Sequence, residues 1–559
     1  MKIDWRDWET KAFQLAKEQN KPVLLDISAC WCHWCHVMDR TTYRDPKVVQ
    51  AVNQDFVAVK VDNDRRPDIN DRYNQGGWPT TVFLTPEGEV IAGGTYIPPG
   101  QMIDVLAKIK DLYHNNVDAL EGLLAKQKPE REQDRPVGEA KPGLETFSLV
   151  VAALKQSFDS AHGGFGTAPK FPMVDALGLA LYAWRETGEA QLLELVTKSL
   201  TAMGEGGVYD KHGGGFFRYS VTQDWSIPHY EKMLEDNAGL LNLYLDAFMI
   251  TGETSFREKA YHILNYLLST LLDGERGVFF GSQDADEEYY QLDRNARANK
   301  SAPAVDTVVY TNWNCLMATS LLKAGSVLGE KRYRQLALNC LAFLWDHCYT
   351  KQGVCHYYEG GGHLPGLMRD QVALVYSFLE AYQVTADRTY LDRAEEVCAW
   401  MLANLWDVDQ GGFFDIPCDD DALARLGQRQ RNINENALAA EALLRLSLIT
   451  GKDIYRRHAE PSLGYFAALW HHYGIFAARY AQASHFLIAG PVEIEIKGDR
   501  AGAGFGPMLQ ACLDNYLPRK VIKFSERDGD RVQALVCREK SCQGPFTDPD
   551  QLRSELDRK

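Results

Sequence analysis

The feature that most limits the fold of this 559-residue chain is an internal repeat occupying residues 144 to 490. A glycine followed by apolar or aromatic residues recurs as GGFG (163–166), GGGFF (213–217), GVFF (277–280), GVCHY (353–357), GGFF (411–414) and YGIF (473–476). The helical stretches between them share a tight turn, at Thr187-Gly188, Thr251-Gly252, Leu328-Gly329, Ala386-Asp387 and Thr450-Gly451. These turns lie roughly sixty residues apart, the signature of a repeated helical hairpin. One helix precedes the five hairpins (144–158) and one follows them (475–488). Both end helices are apolar, so pairing the first with the last closes twelve helices into an (α/α)6 barrel. An open solenoid would instead need polar caps at its two ends.

In such a barrel the inner helices run parallel, and their N-termini gather at one end. The helices read as inner begin with Glu235-Asp236-Asn237, Asn312-Trp313-Asn314, Arg369-Asp370-Gln371 and Asn434-Glu435-Asn436. N-capping explains one polar residue per helix but not two or three. The preceding loops add His229, Tyr230 and Glu231, then Gln283, Asp284, Asp286, Glu287 and Glu288, with His212, Arg218 and His363 in similar loops. Converging carboxylates, histidines and aromatics suit sugar chemistry. A carboxyl pair can act as acid and base on a glycosidic bond, and histidine can move a proton beside a carbonyl. His229, Glu231, Asp236, Asp284, Asp286 and Asp370 are therefore expected to line one catalytic cleft. His212, Arg218, Tyr230, Asn314 and Asn436 are expected to bind substrate there. For each residue taken alone, a cap or a surface loop is the competing reading.

The first 124 residues have a different character. A helical stretch (4–19) leads into the apolar run PVLLDIS, then SACWCHWCHVM, a helix through HVMDRTTY, the strand FVAVKVD (56–62), the hairpin TTVFLT (80–85) and VIAGG (90–94), and a helix over 102–124. This is the element order of a thioredoxin fold. Cys32-His33-Trp34-Cys35 then falls where strand runs into helix. There the dipole and the free amides of the first turn favour a thiolate at Cys32. Cys35, one turn on, can resolve a mixed disulfide. His33 adds positive charge, and Pro79, ahead of the hairpin, is placed to face the dithiol; its isomer is not readable from sequence. Two other readings of the motif stand beside the redox one. Cys30, Cys32, His33, Cys35 and His36 are all metal-ligand types, but no second ligand pair follows nearby, so no metal and no cofactor are expected. Trp31 and Trp34 also fit a simple packing turn. Cys30 offers a second pairing for the thiols.

The net charge of −16 and the lack of a Lys/Arg-rich run argue against nucleic acid as a partner. No apolar run reaches the length of a membrane span, and the first residues have no signal-peptide h-region, so a cytoplasmic protein is expected. Twelve cysteines in this length are not a disulfide scaffold. The nine from Cys315 onward, Cys537 and Cys542 included, read as small buried core residues. After residue 490, VEIEIKG, an apolar helix and VIKFS suggest a small α/β lobe.

Several stretches together resemble one family. CHWCHVM (32–38), FLTPEGEVIAGGTYIPP (83–99), GGFGTAPKFP (163–172), YDKHGGGFFRYS (209–220), PHYEKMLEDNAGLL (228–241), DADEE (284–288) and NWNCLM (312–317) are similar to spermatogenesis-associated protein 20. The resemblance spans almost the whole chain. It implies a thioredoxin-like domain joined to a six-hairpin glycosidase-like barrel, related in fold to N-acylglucosamine 2-epimerases, and it carries over no assigned reaction. Departures are Cys30-Trp31 ahead of the dithiol, Gln283 where an acid is usual, Cys315 for a usual glycine, and a short 288–306 segment.

The expected organisation is a thioredoxin-like domain (1–124), a linker (125–143), the (α/α)6 barrel (144–490) and a C-terminal α/β lobe (491–559). The leading functional expectation is a thiol–disulfide oxidoreductase with a protein thiol or disulfide as partner. A sugar isomerase, epimerase or glycoside hydrolase, taking a sugar or sugar phosphate, is the alternative. A non-catalytic binding protein is the third.

Overall fold

The computed structural model describes residues 2–127, 141–526, 531–539 and 541–558. They form two compact units, Met1–Pro136 with Ile416–Gln430, and Val137–Asp415 with Arg431–Lys559.

The first unit is built on a four-stranded sheet of order β2-β1-β3-β4, with β1 (Val23–Ser28), β2 (Val57–Asp62), β3 (Thr80–Leu84) and β4 (Val90–Gly94). β1 and β2 are parallel, whereas β3 lies antiparallel to β1. Every residue of β1 is buried, as expected for a central strand covered on both faces. Alternate residues feed two cores. One holds Leu24, Phe56 and Phe83 with Val48 and Leu106; the other holds Val23, Leu25, Ile27, Val59 and Val82 with Phe13 and Ile69. The helices are α1 (Thr10–Glu18), α2 (His33–Arg40), α3 (Pro46–Asp55), α4 (Pro67–Tyr73), α5 (Pro99–Asn115) and α6 (Val117–Gln127).

Three details differ from the sequence reading. Residues 4–9 are not helical; Arg6 forms a β-bridge to Val59 instead. The helix expected over 102–124 is two helices, broken at Asn116. Residues 125–127 of the expected linker end α6, and 128–140 lie outside the described residues. A segment distant in sequence also joins this unit. Leu423, Ala424 and Leu426 pack on the second core, and Arg72 donates to the carbonyls of Arg425 and Gln428 (both 2.9 Å).

The second unit contains the twelve repeat helices. They are α7 (Leu144–Ser157), α8 (Val174–Thr187), α9 (Ala190–Glu205), α10 (Leu234–Thr251) and α11 (Thr254–Tyr266); then, after the one-turn helices α12 (Glu287–Tyr290) and α13 (Arg294–Arg297), α14 (Thr311–Val327), α15 (Lys331–Cys348), α16 (Met368–Thr385), α17 (Arg388–Asn404), α18 (Ile433–Thr450), α19 (Asp453–Phe466) and α20 (Ala478–Ala489). α8, α10, α14, α16, α18 and α20 pack in a closed ring, and α7 packs on α20, so first meets last as the repeat predicts. The inner helices bury residues around most of their circumference, the pattern of helices with neighbours on all sides. The five followed by an outer helix lead into it through a left-handed residue, which after α14 is Gly329 at φ 71°. Gly188, Gly252 and Gly451 take φ of 74°, 73° and 72°, and Ala386 takes the same role at 60°, where a Cβ is disfavoured.

The C-terminal lobe clusters with the barrel. Its sheet has the order 520–525, 492–497, 533–538, 541–546 and is flanked by α21 (Phe505–Leu513) and α22 (Pro549–Asp557). The Ile522 N–H donates to Gln383 of α16 (2.9 Å), and Arg519 pairs with Glu186 of α8 (2.9 Å). These bonds seat the lobe on the turn end of the barrel. The cysteine expectation needs correcting here. Cys537 and Cys542 are paired across adjacent strands as a disulfide, and Cys542 and Cys418 are exposed, while Cys315, Cys340, Cys348, Cys355, Cys398 and Cys512 are buried.

Candidate functional site

In the first unit, Cys32 is the N-cap of α2, and its sulfur accepts the Cys35 N–H at 3.2 Å. The two cysteines are joined as a disulfide with Cα atoms 5.3 Å apart. A sulfur in this position meets the positive end of the helix and an amide donor, both of which stabilise a thiolate once the bond is reduced. The Trp78–Pro79 peptide is cis. Trp31 and Trp78 meet edge to face at 5.9 Å, which brings the proline loop against the cysteine loop. His33 is half-buried, Trp34 is 48% exposed, and Cys30 is exposed and outside the disulfide. The sequence reading missed Asp26, the one acid in VLLDIS. Burial raises its carboxyl pKa, opposed by Lys60 at 3.2 Å, and Tyr43 donates to it.

In the barrel, the polar triplets that open the inner helices divide by position. The third members, Asn237, Asn314, Gln371 and Asn436, are fully buried. Each amide oxygen accepts a loop N–H, from Phe216 (2.7 Å), Phe279 (2.8 Å), Val354 (2.9 Å) and Phe413 (2.7 Å) respectively. Each amide nitrogen donates back to the carbonyl of the same residue. The recurrent glycine-aromatic motif is the segment held by this clamp. Asn314 and Asn436 are therefore clamps and not ligand-binding residues, contrary to the expectation from their position.

The first two positions point elsewhere. Glu235, Asp236 and Asn434 line a cavity of about 670 Å³ inside the barrel. Burial first, then the neighbouring Asp236, pushes the Glu235 carboxyl upward, opposed by Arg218 and Arg369; Trp313 hydrogen-bonds to it. Asp236 is also raised by burial, with Arg218 opposing and Glu231 reinforcing. Asp236 Oδ2, Asn312 Oδ1 and Asn434 Oδ1 are buried and accept no hydrogen bond from a described residue. Orphaned acceptors of this kind are rare in native proteins.

Around this pair the expected residues separate. His229 and Glu231 do converge from the extended loop, Nδ1 to carboxylate, leaving Nε2 as the other ring nitrogen to exchange a proton. Residues 232–233 pair with 282–283, so Glu231 and Asp284 flank one short ladder. Asp284 accepts the Ala285 N–H (2.7 Å), and Asp286 caps α12 by accepting the Tyr289 N–H (2.9 Å). Asp370 is sealed against His356 Nδ1 at 2.8 Å and accepts the Asn312 N–H. Burial raises its pKa, and His356 and Arg369 oppose the rise. His212 is exposed, and Tyr230 stacks on Tyr290 at 5.9 Å. Asp284, Asp286, Asp370, His212 and Tyr230 thus do not line the cavity, and of the six expected catalytic residues only Asp236 does. The short elements before the inner helices use the others for caps and ion pairs. Glu235, which lines the cavity, and Trp313 and Arg369, which act on its carboxyl, open the inner helices in the sequence reading but are not among its candidate site residues; His356, inside the repeat motif GVCHY, is not singled out there and serves as the partner of Asp370. Among the described residues no three His, Cys, Asp or Glu side chains are grouped to hold a metal, and no helix is long and apolar enough to cross a membrane.

Residues 1–128 match the family model Thioredox_DsbH, described as a protein of unknown function, DUF255. A thiol:disulfide interchange protein, DsbD 1 of Pseudomonas aeruginosa, is 37% identical over 78 residues, 13% of each chain. A solved D-mannose isomerase superposes with a TM-score of 0.51 at 12% identity, covering 64% of this chain and 99% of that one, and shows that the barrel has its fold. Spermatogenesis-associated protein 20 of Homo sapiens is 25% identical over 99% of this chain and 90% of its own length. The chain is thus similar over nearly its whole length to spermatogenesis-associated protein 20, and it joins a thioredoxin-like domain carrying a Cys32–Cys35 pair to a helical barrel of the D-mannose isomerase fold.

Proposed function

We propose that the N-terminal domain is a thiol–disulfide oxidoreductase acting on protein disulfides. The observation that carries this reading is Cys32 at the N-cap of α2 with its sulfur accepting the Cys35 amide. In the reduced state Cys32 attacks a substrate disulfide as the thiolate, one substrate thiolate leaves, and a mixed disulfide forms. Cys35 then attacks Cys32, releasing the second substrate thiol and closing the Cys32–Cys35 bond. An external dithiol returns the pair to its reduced form. His33 and Pro79 frame the sulfur. Turbidimetric reduction of insulin disulfides tests this: the whole chain should be active with dithiothreitol, Cys32→Ser inactive, and Cys35→Ser trapped as a mixed disulfide. Wild-type activity no higher than dithiothreitol alone would refute it.

A second reading is favoured by the Glu235–Asp236 pair and the orphaned acceptors beside it. The barrel binds a carbohydrate there and moves a proton on it. An acid held protonated near neutral pH can donate to a leaving or ring oxygen, and the His229–Glu231 dyad can accept a proton. Arg218 sets the balance between the two acids. Thermal shift against a sugar and sugar-phosphate panel tests the binding step, because a ligand that binds only the native state raises its stability. A hit should vanish in Asp236→Asn with folding intact; no shift with any panel member would remove this reading.

A further inference from the structure

The barrel cavity reaches from the first turns of the inner helices toward their C-terminal turns. Its mouth carries aromatic rings that the barrel fold itself does not use. Phe476 is 63% exposed and Phe171 is 40% exposed, and both line the cavity. Phe171 stacks on Tyr219 at 4.7 Å, and Tyr219 stacks on His229 at 4.8 Å. A continuous aromatic stack thus runs from the mouth to the His229–Glu231 dyad. Large exposed rings at a cavity edge mark an interaction site. The negative face of an aromatic ring attracts positively polarised C–H edges, and the axial C–H face of a pyranose presents such an edge.

The depth of the cavity follows from α10. Asp236 and Asp246 both line it, ten residues apart, about 15 Å of helix at 1.5 Å per residue. Asp246 is held by Lys323 at 2.8 Å near the turn end. Leu513, Tyr516, Leu517 and Pro518 of the C-terminal lobe, itself bonded to the inner helices through Gln383, line the cavity at that end. A cavity of this length exceeds one sugar ring.

We propose that the C-terminal lobe closes the turn end of the cavity and that the barrel takes the end of an oligosaccharide, terminal ring innermost and the next ring stacked on Phe476 and Phe171. This rests on the carbohydrate reading above and adds to it a length and an orientation. A floor closed in this way excludes threading of an internal stretch of chain, so on this proposal a glycan without ends does not fit. The orphaned acceptors on Asp236 and Asn434, which line the cavity, meet hydroxyls near the reacting bond.

Calorimetric titration with three ladders tests this: glucose, maltose and maltotriose; mannose and mannobiose; N-acetylglucosamine and chitobiose. In one ladder the two-ring sugar should bind about tenfold or more tighter than the single ring. Phe476→Ala should lower that gain to about twofold while leaving single-ring binding unchanged. Phe476 is exposed and packs in no core, and an unchanged melting temperature checks that the variant is folded. β-Cyclodextrin, which has no chain ends, should not bind. Equal affinity for one and two rings, binding of β-cyclodextrin, or equal loss of both sugars in Phe476→Ala would overturn the proposal and leave the carbohydrate reading standing. No binding in any ladder would overturn both.

Discussion

The dithiol of the first unit and the acid pair of the second are built in opposite ways. Cys32 and Cys35 lie one turn apart at the start of one helix, and the end of that helix supplies the dipole and the amide that act on the sulfur. Glu235 and Asp236 are also neighbours, but their state is set by Arg218, Glu231, Trp313 and Arg369, which come from separate parts of the repeat. A site contained in four residues survives changes elsewhere in its domain. A site assembled from several helices depends on everything that holds those helices in register.

The sharpest way to break the comparison is at the sulfur. Cys32→Ser should lower insulin reduction by about 100-fold or more, since no other nucleophile replaces the thiolate. Sugar-induced thermal shifts should be untouched by this change.

Next comes the clamp. Asn436→Ala leaves the Phe413 N–H and C=O buried without their partner, and two orphaned backbone groups cost about 2–4 kcal/mol. Chemical denaturation of the barrel should show that loss, and ligand binding should weaken with it because the rim moves. Insulin reduction should stay at the wild-type rate.

A smaller effect is expected from the acid pair. Its carboxyls are raised in the folded state, so the folded chain holds these protons more tightly than the unfolded chain does. The resulting stabilisation is fully present below the ordinary carboxylate range and is lost as pH rises through the raised values. Glu235→Gln should therefore be more stable than wild type at pH 8, by about 1–2 kcal/mol, and show a flatter stability profile between pH 5 and about 8. A steeper profile in the variant would mean that Glu235 is held ionised.

Least affected should be Asp286→Ala. It removes the cap of α12, about 1 kcal/mol of local helix stability. Sugar binding should not change, as the residue does not line the cavity.

The same contrast explains what could be read in advance. The thioredoxin-like order of elements and the dithiol are local patterns, and both are present in the molecule. Barrel closure was legible too, because two apolar end helices have only each other to cover. The cleft was not, for a reason of helical phase. Successive residues turn by about 100°, so Glu235 and Asn237, two apart, point to nearly opposite sides. Polarity marks both positions equally, and only the inward direction of one makes it a cavity residue. Asp26 and His356 were hidden differently: each sits in an apolar strand motif, and its partner, Lys60 or Asp370, comes from elsewhere in the fold.

The central claim is that the end of α2 makes Cys32 the attacking thiol. Its most direct test is alkylation of the fully reduced chain with iodoacetamide as a function of pH, with each cysteine followed by mass spectrometry. The account predicts that Cys32 reacts through a transition well below the ordinary thiol range near 8.5, while Cys35 reacts slowly throughout. Cys35 titrating below Cys32, or a pair that stays reduced in a glutathione redox buffer, would contradict it.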